Sequence, residues 1–327
     1  MNKVFNSGVI KNSVILVTGG AGFIGSHLVE QLLELDPKEI RIVDNFIRGS
    51  EANMASFKSD PRVKFQFGDI RDARLMDELI AGCDFVYHMA ALRINACAAN
   101  PAEGFDVMMR ATLQLAEACV KNKVKKVIYS SSASIYGLAP AFPTAESCAP
   151  YDNQTFYGAA KLWGEQLFRS FRFMYGLDYV ALRYFNVYGP RMDTDGKYTE
   201  VMIKWLDCIK DGRAPLIFGD GSTSMDFVFV TDVARANVLA LVSNETDRAF
   251  NVGCQVETSL RELLSCLLKV NDSGLAPEFR PENTVNPVAR RLADISAANA
   301  CLGYTPEVAL EQGLLQLSAW YFKTKMF

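Results

Sequence analysis

The sequence predicts an α/β fold: a parallel sheet wound on both faces, with a smaller α/β lobe at the carboxyl end. Three observations predict it. Apolar, β-branched runs alternate with amphipathic stretches through the first half of the chain. The apolar runs are near-continuous, which suits strands covered on both sides. After Gly189-Pro190 the alternation gives way to turn-rich pieces.

In order, VILVT reads as the first strand, FIGSHLVEQLLEL as a helix, IRIVDN and VKFQFGD as strands, and ARLMDELIAG as a helix. DFVYHMAA follows as a strand, AEGFDVMMRATLQLAEACVKN as a helix and KKVIYSS as a strand. A long helical pattern runs from about Tyr157 to Tyr175, and the strand-like YVALRYFN extends the same sheet. Beyond it, GPRMDTDGK, IFGDGSTS and KVNDSGLAPEFRPENTVNP separate short helices and strands, as in a lobe packed over the carboxyl edge of the sheet. This places one domain over 1–188 and mainly a second lobe over 189–327, with later segments free to return to the sheet. No repeat, low-complexity tract or charged tail interrupts the pattern.

With 327 residues, half of them apolar, the chain has material for a large core. Its 34 basic and 37 acidic residues are scattered, so no basic face for nucleic acid is legible. No apolar run approaches the roughly 20 residues that cross a bilayer, and the opening MNKVFNSGVIKNS lacks the apolar core of a secretion signal, so a cytoplasmic protein is expected. Cys83, Cys97, Cys119, Cys148, Cys208, Cys254, Cys266 and Cys301 form no C-x-x-C pair, and several sit in apolar helical runs such as LAEACV. They read as buried thiols rather than ligands or disulfides. Two histidines, His27 and His88, are too few for a histidine-rich metal centre or an easily argued Ser-His-Asp triad. No metal is expected, and proton transfer must come from other residues.

Thr18-Gly19-Gly20-Ala21-Gly22-Phe23-Ile24-Gly25 follows a strand and opens a helix. Gly19 permits a tight turn, Gly22 removes a side chain where a pyrophosphate would approach the backbone, and Gly25 lets helix and strand pack closely. The helix amino end then faces the anion. Asp44 ends the second strand at the distance expected of a carboxylate that accepts both ribose hydroxyls; a 2′-phosphate would meet like charge there, so NAD is favoured over NADP. The bland alternative is an ordinary turn with Asp44 as a surface cap. Asp69-Ile70, after the third strand, offers a place for an adenine.

Tyr157 and Lys161 are spaced i, i+4 and lie on one helix face. Lowering a phenol pKa from about 10 to near 7 needs roughly 4 kcal/mol. A charge about 4 Å away supplies that where the effective dielectric constant is near 20, but only about 1 kcal/mol in water. The pair must therefore be semi-buried, and an oxidised nicotinamide nearby would help. Ser132 offers a hydroxyl to the same substrate oxygen, completing a proton-transfer group for alcohol oxidation or ketone reduction. Alone, Y-x-x-x-K is usually an exposed helical pair.

Its company carries the weight. T-G-G-A-G-F-I-G, D-N, H-M-A-A, S-S-S-A-S-I-Y-G, Y-G-A-A-K, R-Y-F-N-V-Y-G-P-R, G-D-G-S-T-S-M-D-F-V-F-V-T-D-V-A and R-R-L-A-D-I-S occur in one order. Over nearly its whole length the chain resembles extended short-chain dehydrogenases/reductases, in particular the UDP-glucose 4-epimerase branch of the nucleotide-sugar epimerases and dehydratases. The resemblance implies a modified Rossmann domain holding NAD through Gly19, Gly22, Phe23, Ile24, Gly25, Asp44, Asn45, Asp69, Ile70, Ala90, Ala91, Tyr157 and Lys161. It also implies a lobe for the nucleotide sugar and a homodimer through paired long helices. Ser132, Tyr157 and Lys161 would be catalytic. Ser132, Ser134, Asn186 and Arg191 would meet the substrate, with Arg290 or Arg291 on its diphosphate.

Family dehydratases, and the related decarboxylases, carry an acidic residue just after the catalytic hydroxyl; here stand Ala133 and Ser134. That leaves transient C4 oxidation and re-reduction of a UDP-linked hexose or uronic acid. The alternatives are a 4-ketosugar reductase or dehydrogenase and, behind them, a 4,6-dehydratase or a non-catalytic NAD-binding sensor. Met225 stands where the family often has a diphosphate-binding Arg, and Met108 where an Asn is common. Arg291 also falls near the position that gates the sugar's C2 substituent.

Overall fold

A computed structural model describes residues 7–194, 200–281 and 288–325. The first six residues of the opening segment, and parts of the turn-rich pieces at 195–199 and 282–287, lie outside the described residues.

The chain opens with β1 (Val14–Thr18), α1 (Phe23–Leu33), β2 (Glu39–Asp44), β3 (Val63–Phe67), α2 (Ala73–Ile80) and β4 (Phe85–His88). Then come α3 (Ile94–Ala99) and α4 (Pro101–Phe105), which passes through a π-helical turn at Asp106–Arg110 into α5 (Ala111–Lys121). β5 (Lys126–Ser132), α6 (Phe156–Tyr175) and β6 (Asp178–Tyr184) complete the first half. The caps explain where helices start and stop: the Asp72 carboxylate accepts the amides of Arg74 and Leu75 ahead of α2, the Thr155 side chain accepts that of Gly158 ahead of α6, and Gly176 ends α6 in the left-handed region at φ 75°.

The second half contributes β7 (Asn186–Tyr188), α7 (Val201–Lys210), β8 (Leu216–Phe218), β9 (Ser224–Phe229), α8 (Val230–Val242) and β10 (Arg248–Val252). β11 (Glu257–Ser259), α9 (Leu260–Val270), β12 (Glu278–Arg280), α10 (Ser296–Leu302) and α11 (Leu310–Lys325) follow. Seven strands form one parallel sheet in the order β10-β6-β5-β4-β1-β2-β3. Because β10 pairs with β6, α8 packs back on the sheet beside α1, and the second half is not wholly a separate lobe. What remains of it is β7-β9-β11, the β8-β12 pair and the helices α7, α9 and α11, around Trp205, Leu206, Leu263 and Leu317.

Each sheet face has its own core. Ile15, Val17, Leu28, Leu182 and Phe250 lie in one cluster, and Leu16, Val86, Val127, Phe168 and Ala181 in the other. Burying one such side chain stabilises by about 1.5–3 kcal/mol, so the alternation of β1 between the two clusters fixes its register. β3 departs from the doubly covered strand expected of it. It is an edge strand on which Phe65 and Phe67 are exposed, and Phe46 covers them in part, stacked on Phe65 at 5.1 Å between centroids. All eight cysteines are free thiols, with Cys83, Cys97, Cys119 and Cys208 buried and the others half-buried. Among the described residues no helix is long and apolar enough to cross a membrane, and no three His, Cys, Asp or Glu side chains converge as a metal site would need.

Candidate active site

The carboxyl ends of β1, β2 and β4 form the floor of the site. Gly19 turns the chain at φ +70°, where a Cβ would lie 3.0 Å from the Ala90 backbone. At Gly25 a Cβ would come within 2.2 Å of the Gly19 carbonyl oxygen, so α1 can dock on its own turn only without a side chain there. Gly22, the residue before α1, places no capping side chain over the helix amides. Thr18 Oγ1 accepts the amides of Met89 and Ala90 at 3.0 and 3.1 Å, and His88 bridges Thr18 (Nδ1, 3.0 Å) to Thr112 (Nε2, 2.9 Å). Burial, reinforced by the Lys161 charge, drives the His88 pKa down to about 3, so this imidazole is a neutral brace between strand ends.

Asp44 is buried. Its carboxylate accepts the amides of Ala21 (3.2 Å) and Phe46 (2.9 Å), while desolvation pushes its pKa up. Asn45 donates to Asp69 at 3.0 Å, linking the ends of β2 and β3. A single cavity of about 670 Å³ is lined by Gly19, Gly22, Phe23, Ile24, Gly25, Asp44, Asn45, Asp69, Ile70, Ala90 and Ala91, and continues to Ser132, Ser134, Tyr157, Lys161 and Arg191.

The end of the cavity that holds Ser132, Tyr157 and Lys161 is assembled from β5 and α6. Tyr157 is hydrogen-bonded to Ser132, whose Oγ also accepts the Ser134 amide at 3.1 Å. Lys161, 2% exposed, donates to the Ser130 carbonyl at 2.5 Å, and its Nζ stands 5.7 Å from the centroid of the Tyr157 ring. The expectation that the ammonium lowers the phenol's pKa meets a correction. Burial raises the Tyr157 pKa, with the Ser132 hydrogen bond and the charges of Arg291 and Arg48 working the other way, and burial takes Lys161 down to about 7. Desolvation is the largest influence on both groups in the protein alone.

The remaining residues expected at the substrate separate. Arg191 lines the cavity at φ +70°, but its guanidinium is bound by Glu30. Asn186 is not among the lining residues, and its Oδ1 is buried without a hydrogen-bond partner. Arg290 and Arg291 continue a strand-like segment along β9, with Arg290 bridged to Ser224 and the Arg291 amide donating to the Ser224 carbonyl at 3.0 Å. Arg290 is exposed, clamps Glu257 through two 2.7 Å hydrogen bonds and covers the Phe142 ring at 4.5 Å. Like Arg290, Arg291 is not among the lining residues; it acts on Tyr157 through its charge, and its Nε is buried without a partner.

Five charged residues of the cavity escaped sequence reasoning: Arg48, Arg93, Asp193, Glu200 and Lys204. Arg48 reaches Asp193 at 3.7 Å and Arg93 reaches Glu200 at 3.6 Å, from the loops after β2 and β4 across to the segment between β7 and α7. Arg48 comes four residues after Asp44 and Arg93 two after Ala91, so the only signal was proximity to motifs whose recognised residues had already ended. Met108, in the π-helical turn, accepts the Leu92 amide through its sulfur at 3.2 Å, so the position common for Asn in the family still supplies an acceptor.

The profile of the NAD dependent epimerase/dehydratase family matches residues 15–253. The chain belongs to that family. Its cofactor is NAD, and the turn that only glycine can line, with Asp44 beyond it, fits the dinucleotide. The chain is 36% identical over 313 residues to a UDP-glucose 4-epimerase of Mycolicibacterium smegmatis, covering 95% of this chain and 98% of the relative. Among solved structures it is similar to a UDP-N-acetylglucosamine 4-epimerase of Methanobrevibacter ruminantium, in complex with UDP-N-acetylmuramic acid, with a TM-score of 0.90, 34% identity and coverage of 96% and 99% of the two chains. It is also similar to a Thermotoga maritima UDP-glucose 4-epimerase with UDP-glucose, at TM-score 0.89, 34% identity and coverage of 95% and 99%.

Proposed function

We propose that this family member is a nucleotide-sugar 4-epimerase acting on a UDP-linked hexose or uronic acid. The observation that carries the reading is the Ser132–Tyr157 hydrogen bond, backed by Lys161, in the same cavity as the dinucleotide turn. NAD, when bound, would supply the hydride acceptor and donor. Tyr157 takes the proton of the C4 hydroxyl and later returns it, Ser132 holds the same oxygen, and buried Lys161 favours the phenolate when charged. Arg291 is the arginine better suited to the diphosphate: its charge acts on Tyr157 and its buried Nε has no partner, whereas Arg290 is held by Glu257. Arg48, Arg93 and Lys204 add positive charge for the phosphates in the same cavity.

Ala133 and Ser134 are buried beside Ser132, so the two positions where an eliminating or decarboxylating enzyme of the family would carry an acid present no carboxylate. The ketosugar is therefore left to turn over and be reduced on its other face. Incubation with UDP-glucose, UDP-N-acetylglucosamine and UDP-glucuronate without reductant should give a C4 epimer of at least one of them. No epimer from these or from GDP- and TDP-sugars, alongside NADH consumption with a 4-ketosugar, would establish a reductase instead. We also read the chain as a cytoplasmic homodimer. Eight unpaired thiols suit a reducing compartment, and α6 ends on exposed Phe173, Met174 and Tyr175, which a second copy would cover.

A further inference from the structure

Tyr157, Lys161 and Glu165 follow one another at intervals of four along α6, on one helix face. Glu165 is 4% exposed, yet it forms an ion pair in that interior. Its partners explain how. Arg183, from β6, donates to it from Nε at 3.0 Å and from Nη2 at 2.7 Å, and the Ser131 hydroxyl donates to it as well. Ser131 lies between the two serines that serve the chemistry: the Ser130 carbonyl receives Lys161, and the Ser132 hydroxyl meets Tyr157. Arg183 in turn donates to Tyr136 Oη (2.8 Å) and to the Glu146 carbonyl (3.0 Å), and Tyr136 donates to Asn251 on β10 at 2.7 Å. Asn251 also donates to the carbonyls of Thr144 and Asp294, the latter in the segment that carries Arg291.

We propose that Glu165 is a positioning residue of the reaction: clamped by Arg183 and Ser131, it sets α6 in register on β5 and provides the buried negative charge that keeps Lys161 an ammonium. This rests on the reading of Tyr157 and Lys161 as the catalytic pair. The groups facing Lys161 are Tyr157 and Glu165 on α6, Cys97 on α3, His88 on β4 and Tyr129 on β5, the last with its ring 5.2 Å from Nζ. His88 is neutral, the Cys97 thiol is pushed toward its neutral form by burial, and Tyr129 is held protonated by burial, so Glu165 is the standing anion of the set. Against the desolvation that opposes the lysine's charge stand Cys97 and then Glu165, and with the thiol neutral Glu165 is the counterweight that remains.

The test is the pH profile of epimerisation by the full-length holoenzyme. In Glu165→Gln the alkaline limb, where Lys161 gives up its proton, should move toward lower pH by about one unit, a roughly tenfold change in the proton equilibrium. Glu165→Asp should restore most of it. Because stripping one partner from a buried ion pair can unfold a protein, the double variant Glu165→Leu with Arg183→Leu removes both charges at similar volume and should move the limb the same way by a smaller amount, since the Arg183 cation that opposed the ammonium is lost with the anion. A normalised profile that superimposes on that of the unaltered enzyme in either variant, with only the melting temperature lowered, would overturn the proposal. Tyr157→Phe is the companion measurement. If it turned over at the unaltered rate, the reading of the catalytic pair would fall and this proposal with it, whereas its inactivity beside an unmoved profile sinks the role of Glu165 alone.

Discussion

Arg191 grips Glu30 through both terminal nitrogens, at 3.1 and 2.5 Å, and so ties the loop after β7 to the helix that follows the glycine turn. His27 joins the contact from α1, 3.6 Å from Glu30, and pairs with the Pro190 carbonyl at 3.1 Å. Burial works to raise the Glu30 carboxyl, but hydrogen bonds from Arg191 and Ser56 outweigh it and hold the pKa below the ordinary 4.5. A depressed carboxylate contributes stability that is complete above its unfolded-state pKa and is lost as pH falls through the folded value. Glu30→Ala should therefore cost about 1–2 kcal/mol at pH 7, with the difference from the unaltered protein shrinking below the ordinary carboxylate range. Thermal melts at pH 7 and near pH 3 check this; an equal difference at both would show that the ion pair is not its source.

Tyr157→Phe removes the proton carrier while leaving a ring of the same shape in place. Turnover should fall by about 10²- to 10⁴-fold, with the dissociation constant for UDP-sugar changed little. Steady-state kinetics and calorimetric titration separate the two quantities.

Gly25→Ala forces a Cβ to within 2.2 Å of the Gly19 carbonyl and 2.9 Å of the Gly20 Cα, both backbone atoms that cannot swing away. Stability should drop by about 1–3 kcal/mol, and the purified protein should retain less NAD. Cofactor released on denaturation, measured per mole of chain, gives the answer.

Adjacent arginines provide a paired comparison. Arg291→Met should weaken UDP binding by roughly 1.5–3 kcal/mol, as for a lost charged hydrogen bond. Arg290→Met, which breaks an exposed ion pair with Glu257, should leave affinity nearly unchanged. Equal losses in the two variants would contradict the assignment of the diphosphate to Arg291.

Chemistry set by local spacing was legible in the chain alone. Gly19, Gly22 and Gly25 serve a turn only seven residues long, and Tyr157 and Lys161 share a face because a helix repeats every 3.6 residues. Both features follow from backbone geometry within a few residues, and the alternation of apolar runs announces a covered parallel sheet by the same short-range logic. The tertiary structure decided what depends on distant neighbours. It made β3 an edge with exposed phenylalanines, returned β10 to the sheet beside β6, and turned Arg290 to Glu257 while leaving Arg291 with an unpartnered nitrogen. It also brought Arg48 and Arg93 into the cavity from two separate loops and made desolvation the largest influence on Tyr157 and Lys161. Burial and ion pairing are sums over groups far apart in the chain, and no window of sequence contains them.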